Sequence, residues 1–161
     1  EWVIWVLKSY QENKLMSITT SDIELENQEE KKDIEEKTKE LKDLFELMKN
    51  TIGSEKIQKV QVSKRLWENI GALSIAEGWL TPQMEKMMKA MGQTPPIQKR
   101  ILEINPDNKI TKLMFEEFKK DIKSEKLKNM MLYIYEQAVL LEWWELEDYR
   151  WFINRVNTFI Q

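Results

Sequence analysis

The apolar residues of this chain change their period along its length, and that change limits the folds open to it. Ile34, Leu41, Leu44, Phe45, Met48 and Ile52 recur at helical spacing, and Gly53 follows as a stop. The period then falls to that of a strand. Lys59-Val60-Gln61-Val62-Ser63 alternates and Ala72 to Ala76 places Leu73 and Ile75 on one side, which predicts two strands of a half-covered sheet. Thr81-Pro82 opens a helix, with Thr as N-cap and Pro at the first helical position, and Gly92 closes it. Ile101-Leu102-Glu103-Ile104 reads as a third, core strand, and Asn105-Pro106-Asp107-Asn108 as a turn. A helix carrying Ile110, Leu113, Met114 and Phe118 follows. Two more run through Leu127, Met130, Met131, Ile134, Tyr135, Ala138 and Leu141, and through Phe152, Val156, Phe159 and Ile160. This order defines an α+β fold: a small mixed sheet of about three strands packed with helices and ending in a C-terminal helix pair. The pair is joined by a short connection and should be antiparallel; it either caps its own sheet or forms half of a four-helix dimer bundle. Before all this, residues 2–10 read as a short helix or an extended apolar segment and Leu15 to Thr19 as a strand. Mixed charges from Asp22 to Lys42 read as a solvated helix face.

Composition removes several classes of function. The 161 residues include no Cys and no His, so disulfides, thiolate nucleophiles, imidazole acid–base chemistry and the usual zinc and copper ligand sets are out of reach. None of the four Gly residues forms a phosphate-cradling pattern. A net charge of −3 with Lys and Arg dispersed among acids argues against nucleic acid as a partner. No apolar run approaches the roughly 18 to 20 residues that span a bilayer, so no membrane partner is expected. Adjacent carboxylates such as Glu35-Glu36 and Glu116-Glu117 point in different directions on a helix and make a poor catalytic pair. No catalytic, cofactor-binding or metal-ligating residue is predicted. The chain begins without Met inside an apolar segment, and reads as a piece of a longer protein.

Within the helix that follows Thr81, Met84, Met87, Met88 and Met91 fall at i, i+3, i+4 and i+7 and line one face. Such a stripe packs into a core, or forms a flexible, polarizable surface that repacks against varied apolar partners. Spacing alone leaves both readings open.

The residues resemble a known family. Val62-Ser63-Lys64-Arg65-Leu66, then Thr81-Pro82-Gln83-Met84-Glu85-Lys86-Met87-Met88-Lys89-Ala90, Ile101-Leu102-Glu103-Ile104-Asn105-Pro106-Asp107, and Glu136-Gln137-Ala138 with Leu146-Glu147-Asp148 are similar to the C-terminal dimerisation domain of the ninety-kilodalton heat-shock protein chaperones, in the bacterial high-temperature protein G form. Glu1-Trp2-Val3 and Asn13 to Ile18 resemble the junction leaving that family's middle domain, which divides the chain into residues 1–20, the junction, and 21–161, the dimerisation domain. The resemblance implies a cytoplasmic chaperone of the stress response, ATP-dependent as a whole, whose partners are a second copy of itself and unfolded client proteins. It assigns client contact to Met84, Met87, Met88, Met91 and Met130, and the dimer seam to Met131, Ile134, Tyr135, Leu141, Phe152, Val156 and Phe159. ATP and magnesium belong to an N-terminal domain outside this sequence, so no cofactor and no catalysis are implied here.

The chain departs from the family in its tryptophans. Trp67, Trp79, Trp143, Trp144 and Trp151 stand at loop and helix-start positions, with Ile70 and Tyr149 beside them, where the family favours small or polar residues or proline. Large aromatics dominate interface hot spots. The alternative reading is therefore an engineered protein-binding scaffold, with those seven residues as its interface and one designed protein as its partner; natural divergence with the rings tucked against the sheet competes with it.

Overall fold

A computed structural model describes residues 9–10, 13–14, 38–39, 41–63, 66–76, 79–96, 98–142 and 145–160. Two short strands, β1 (Ser9–Tyr10) and β2 (Asn13–Lys14), pair antiparallel. The expected strand at Leu15 to Thr19 and most of the charged stretch lie outside the described residues, as do residues 2–8.

The body is α+β, as the periods predict. Strands β3 (Ile57–Val62), β4 (Gly71–Ser74) and β5 (Arg100–Ile104) form one sheet in the order β3-β5-β4, with β5 parallel to β3 and antiparallel to β4. Helices α1 (Lys42–Ile52), α2 (Pro82–Ala90), α3 (Lys109–Lys120), α4 (Glu125–Leu141) and α5 (Tyr149–Ile160) complete the described elements. Register aligns Val60, Leu102 and Leu73 in one row across the sheet, and Val62, Ile104 and Gly71 in the next. Alternation along each strand puts these rows on one face, where Leu44, Phe45 and Met48 of α1, Met114 of α3 and Leu127, Met131 and Ile134 of α4 join them in the core. Gly71 makes this approach possible: a Cβ there would sit 3.0 Å from the Glu103 carbonyl oxygen and 3.2 Å from Ile134 Cγ2. Every residue of β5 is buried, so the central strand is covered on both faces, whereas β3 and β4 expose part of theirs.

Helix boundaries follow local chemistry. Thr81 Oγ1 accepts from Met84 N–H at 3.3 Å, and Pro82 opens α2 without wasting a donor. At its far end Gln93 N–H donates to Met88 O (2.9 Å) and Gly92 N–H to Lys89 O (3.0 Å) around a left-handed Gly92 (φ +74°), a Schellman closure. Asn108 caps α3, Ser124 caps α4, and Asp148 Oδ1 accepts from Arg150 and Trp151 N–H at the start of α5. One assignment is corrected: Leu113 is exposed, and Phe115 packs on the core beside the expected Ile110, Met114 and Phe118. Burial of Thr111 and Met114 rotates α3 so that Leu113 points outward.

Candidate functional site

Helix α2 is fixed to the body by charge. Its one buried side chain is Glu85, 5% exposed, while the methionines around it are half-buried or open. Arg100, at the start of β5, donates from Nη1 to Glu85 Oε1 (3.1 Å) and from Nη2 to Oε2 (2.9 Å), the two-pronged geometry that suits guanidinium to carboxylate. Gln98 adds a clamp: its Oε1 accepts from Leu80 N–H (2.7 Å), and its Nε2 donates to Leu80 O (3.3 Å) and to Glu85 Oε1. Seated on this polar contact, α2 turns Met87 (49% exposed) and Met91 (57%) outward and leaves Met84 and Met88 half-buried. Met130 is elsewhere. It is 4% exposed in the core cluster, because its position on α4 faces the body, and it offers no surface to a client.

A third charged group enters the cluster. Glu142, at the C-terminal cap of α4, has Oε2 3.5 Å from Arg100 Nε and buried without a hydrogen-bond partner. Burial pushes its carboxyl up to about 6, although Arg100 draws it down. Tyr135, about two turns earlier on α4, is pushed up to about 12, by burial first and then by Glu147 and Glu142.

Helices α4 and α5 form the second surface. Tyr133 stacks on Phe152 (6.0 Å between centroids) and meets Phe159 at a tilt (5.2 Å), while Arg155 Nε donates to Glu136 Oε2 at 2.9 Å. The pairing runs antiparallel, as the short connection predicts. Of the seven predicted seam residues, Met131 and Ile134 are buried in the chain's own core, because α4 lies over β4 and Gly71. Tyr135 and Phe159 pack partly against that core, Phe152 faces Tyr133, Val156 is half-buried, and Leu141 is exposed. No described side chain of α5 is fully buried; Tyr149 and Ile153 are exposed on one face, and Trp151, two residues from each, is exposed on the other side. Ile153 escaped sequence reasoning because α5 carries two adjacent apolar stripes and spacing does not say which faces α4.

The aromatic residues at loop positions divide. Trp67 is 89% exposed with φ +52°, a backbone conformation strained for a bulky side chain, held by Asn105 Nδ2 donating to Trp67 O (2.7 Å) and Asn69 O (3.2 Å). Trp79, Tyr149 and Trp151 are exposed, Ile70 packs against the core, and Trp143 and Trp144 lie outside the described residues. A cavity of about 500 Å³ opens beside this loop, lined by Glu68, Asn69, Ile70, Gln137, Leu140 and Phe152 among others. Among the described residues, no three acidic side chains gather as a metal site would require, and no helix is long and apolar enough to cross a membrane.

Fold and surfaces together define an α+β domain that displays apolar side chains on several of its helices, α2 and α5 among them. A family model described as Hsp90 protein matches residues 1–161, and the chain belongs to that family. It is similar to the chaperone protein HtpG of Bacillus subtilis strain 168, 35% identical over 157 residues, covering 97% of this chain and 24% of that protein. The HtpG of Geobacter sulfurreducens is 36% identical over 146 residues (88% and 22%), and that of Ruthia magnifica 32% over 161 residues (99% and 25%). The chain thus spans about a quarter of the length of these relatives.

Proposed function

We propose that this chain is the C-terminal interaction domain of a cytoplasmic Hsp90-type chaperone, with residues 1–20 as its junction to a middle domain and 21–161 as the dimerisation domain. It joins two protomers through α4 and α5 and touches unfolded or partly folded clients through α2. It performs no catalysis; ATP and magnesium act in another part of the whole protein. The observation that carries the reading is the seating of α2: a buried carboxylate holds it, so Met87 and Met91 stay outside at no cost to the core. Methionine suits a surface that meets many sequences, because its unbranched, polarizable side chain adapts to different apolar shapes. The seam reading draws on α5, whose exposed Tyr149 and Ile153 leave an apolar face without cover. With Met131 and Ile134 inside the protomer, it rests on Leu141, Val156 and Ile153, with Phe152 and Phe159 supporting from beneath.

Methionine oxidation tests the client surface. Unfolded polypeptide should slow oxidation of Met87 and Met91 and leave the buried Met131 unchanged; equal rates with and without polypeptide sink the reading. Light scattering tests the seam, with a mass of twice 19.5 kDa expected across a wide concentration range. The exposed Trp67, Trp79, Tyr149 and Trp151 favour a second reading, a scaffold for one dedicated partner. A folded monomer would favour that alternative.

A further inference from the structure

The helix proposed to touch clients is positioned by one guanidinium, and that guanidinium has a second carboxylate partner on another helix. Arg100 gives Nη1 and Nη2 to Glu85 of α2 and turns Nε toward Glu142, the residue that closes α4. The three side chains are 9%, 7% and 14% exposed, so solvent screens their interactions little. Lys86 from α2 also acts on Glu142, with Tyr135 on the α4 side. Glu147, paired with Lys56 at 2.7 Å, and Glu55 act on Tyr135 in turn. A buried and a mostly buried carboxylate thus draw on one fork, and of the two only Glu85 receives the full two-pronged contact.

We infer that Arg100 is a shared latch, coupling the seating of α2 on the sheet to the C-terminal end of α4, with the charge on Glu142 setting how firmly α2 is held. The inference rests on the reading of α2 as a contact helix and adds its regulation. When Glu142 is neutral, it competes little for Arg100, the two-pronged contact with Glu85 is undisturbed and α2 sits tight. When Glu142 is ionised, its Oε2 lacks a hydrogen bond, and the available relief is for Arg100 to swing toward it, or for the cluster to open to water. Either movement loosens α2. A partner that shifts the end of α4 acts on α2 by the same route.

Amide hydrogen exchange on the whole 161-residue chain, without client and corrected for the intrinsic pH dependence of exchange, tests this. Opening of α2 should increase several-fold from pH 5 to 7.5, with a ceiling of about eight-fold in that window if opening restores an ordinary carboxylate. Glu142→Gln should abolish the dependence and hold α2 at its low-pH protection. Glu85→Gln should loosen α2 at every pH, with β5 amides still protected as evidence of folding. The latch is overturned if Glu142→Gln keeps the wild-type profile, or if α2 opening in the wild type ignores pH. A pH-dependent α2 whose Met87 and Met91 gain no protection from unfolded polypeptide would sink the contact reading and leave the latch standing.

Discussion

Helices α2 and α4 carry the same kind of side chain on the same kind of pattern, and the fold treats them in opposite ways. In α4, Met130 and Met131 lie in the core with Leu127, Ile134 and Ala138, over a strand whose Gly71 lets the helix come close. In α2, Met87 and Met91 stand in solvent, and the buried side chain is Glu85. What differs is the means of attachment. Apolar burial fixes α4 by surface area, which takes its methionines into the core. A directional ion pair fixes α2 and leaves its apolar face available.

Breaking the attachment of α2 should have the largest effect. Arg100→Met removes the cation from the buried Glu85 and from Glu142 beside it, and denaturant unfolding should report a loss of about 3–5 kcal/mol, typical when one partner of a buried pair is deleted. Arg100→Lys should recover only part, because a point charge cannot reproduce the two-pronged contact with Glu85. On α4, Met131→Ala should cost about 3 kcal/mol in the same experiment, since it empties a site in the core. A negligible cost there would mean that α4 is not held by burial and that the contrast between the helices is false.

The pH dependence sharpens the contrast from the polar side. Glu142 has a folded pKa of about 6 against an ordinary 4.5, so the folded state binds more protons than the unfolded state between those values. Stability from this group is therefore full below about pH 4.5 and declines as pH rises through 6, by about 2 kcal/mol in total. Glu142→Gln should remove that decline and leave the protein about 2 kcal/mol more stable at neutral pH, measured by denaturant titration at several pH values. A steeper decline in the variant would place the responsible group elsewhere. Weaker still is the N-cap of α2: Thr81→Ala forfeits the bond to Met84 N–H and should cost about 1 kcal/mol.

The regular parts of this fold were legible because their side chains obey a period. Leu44, Phe45, Met48 and Ile52 announce the buried face of α1, and Thr81-Pro82 with Gly92 brackets α2 within a residue of its observed ends. Where two apolar stripes adjoin, the period is ambiguous; Leu113 was expected inside and Phe115 took its place, and Ile153 was passed over beside Phe152. Long-range polar contacts have no period at all. Nothing local links Glu85 to Arg100 or either to Glu142, and nothing about Glu103 foretells that it is buried in the central strand against Ser74 Oγ at 2.8 Å. The four-methionine stripe could be seen in the sequence, but its outward orientation depends on a carboxylate whose partner lies fifteen residues away.

The smallest stability effect tests the comparison most directly. Met87 is half in solvent, and Met87→Ala removes little area that folding had withdrawn from water, so its cost should stay within about 0.5 kcal/mol, and Met91→Ala likewise. Both variants should unfold at the same denaturant concentration as the wild type. If α2 meets clients through this face, the double variant should nevertheless suppress aggregation of an unfolding protein less well, and Met131→Ala, at permissive temperature, should not. That inversion, with the costly core change sparing contact and the nearly free surface change removing it, would separate a helix held for display from one held for burial. A double variant that protects unfolding proteins as well as the wild type does would instead make the α2 methionines bystanders and transfer the contact role to the exposed aromatic residues of α5.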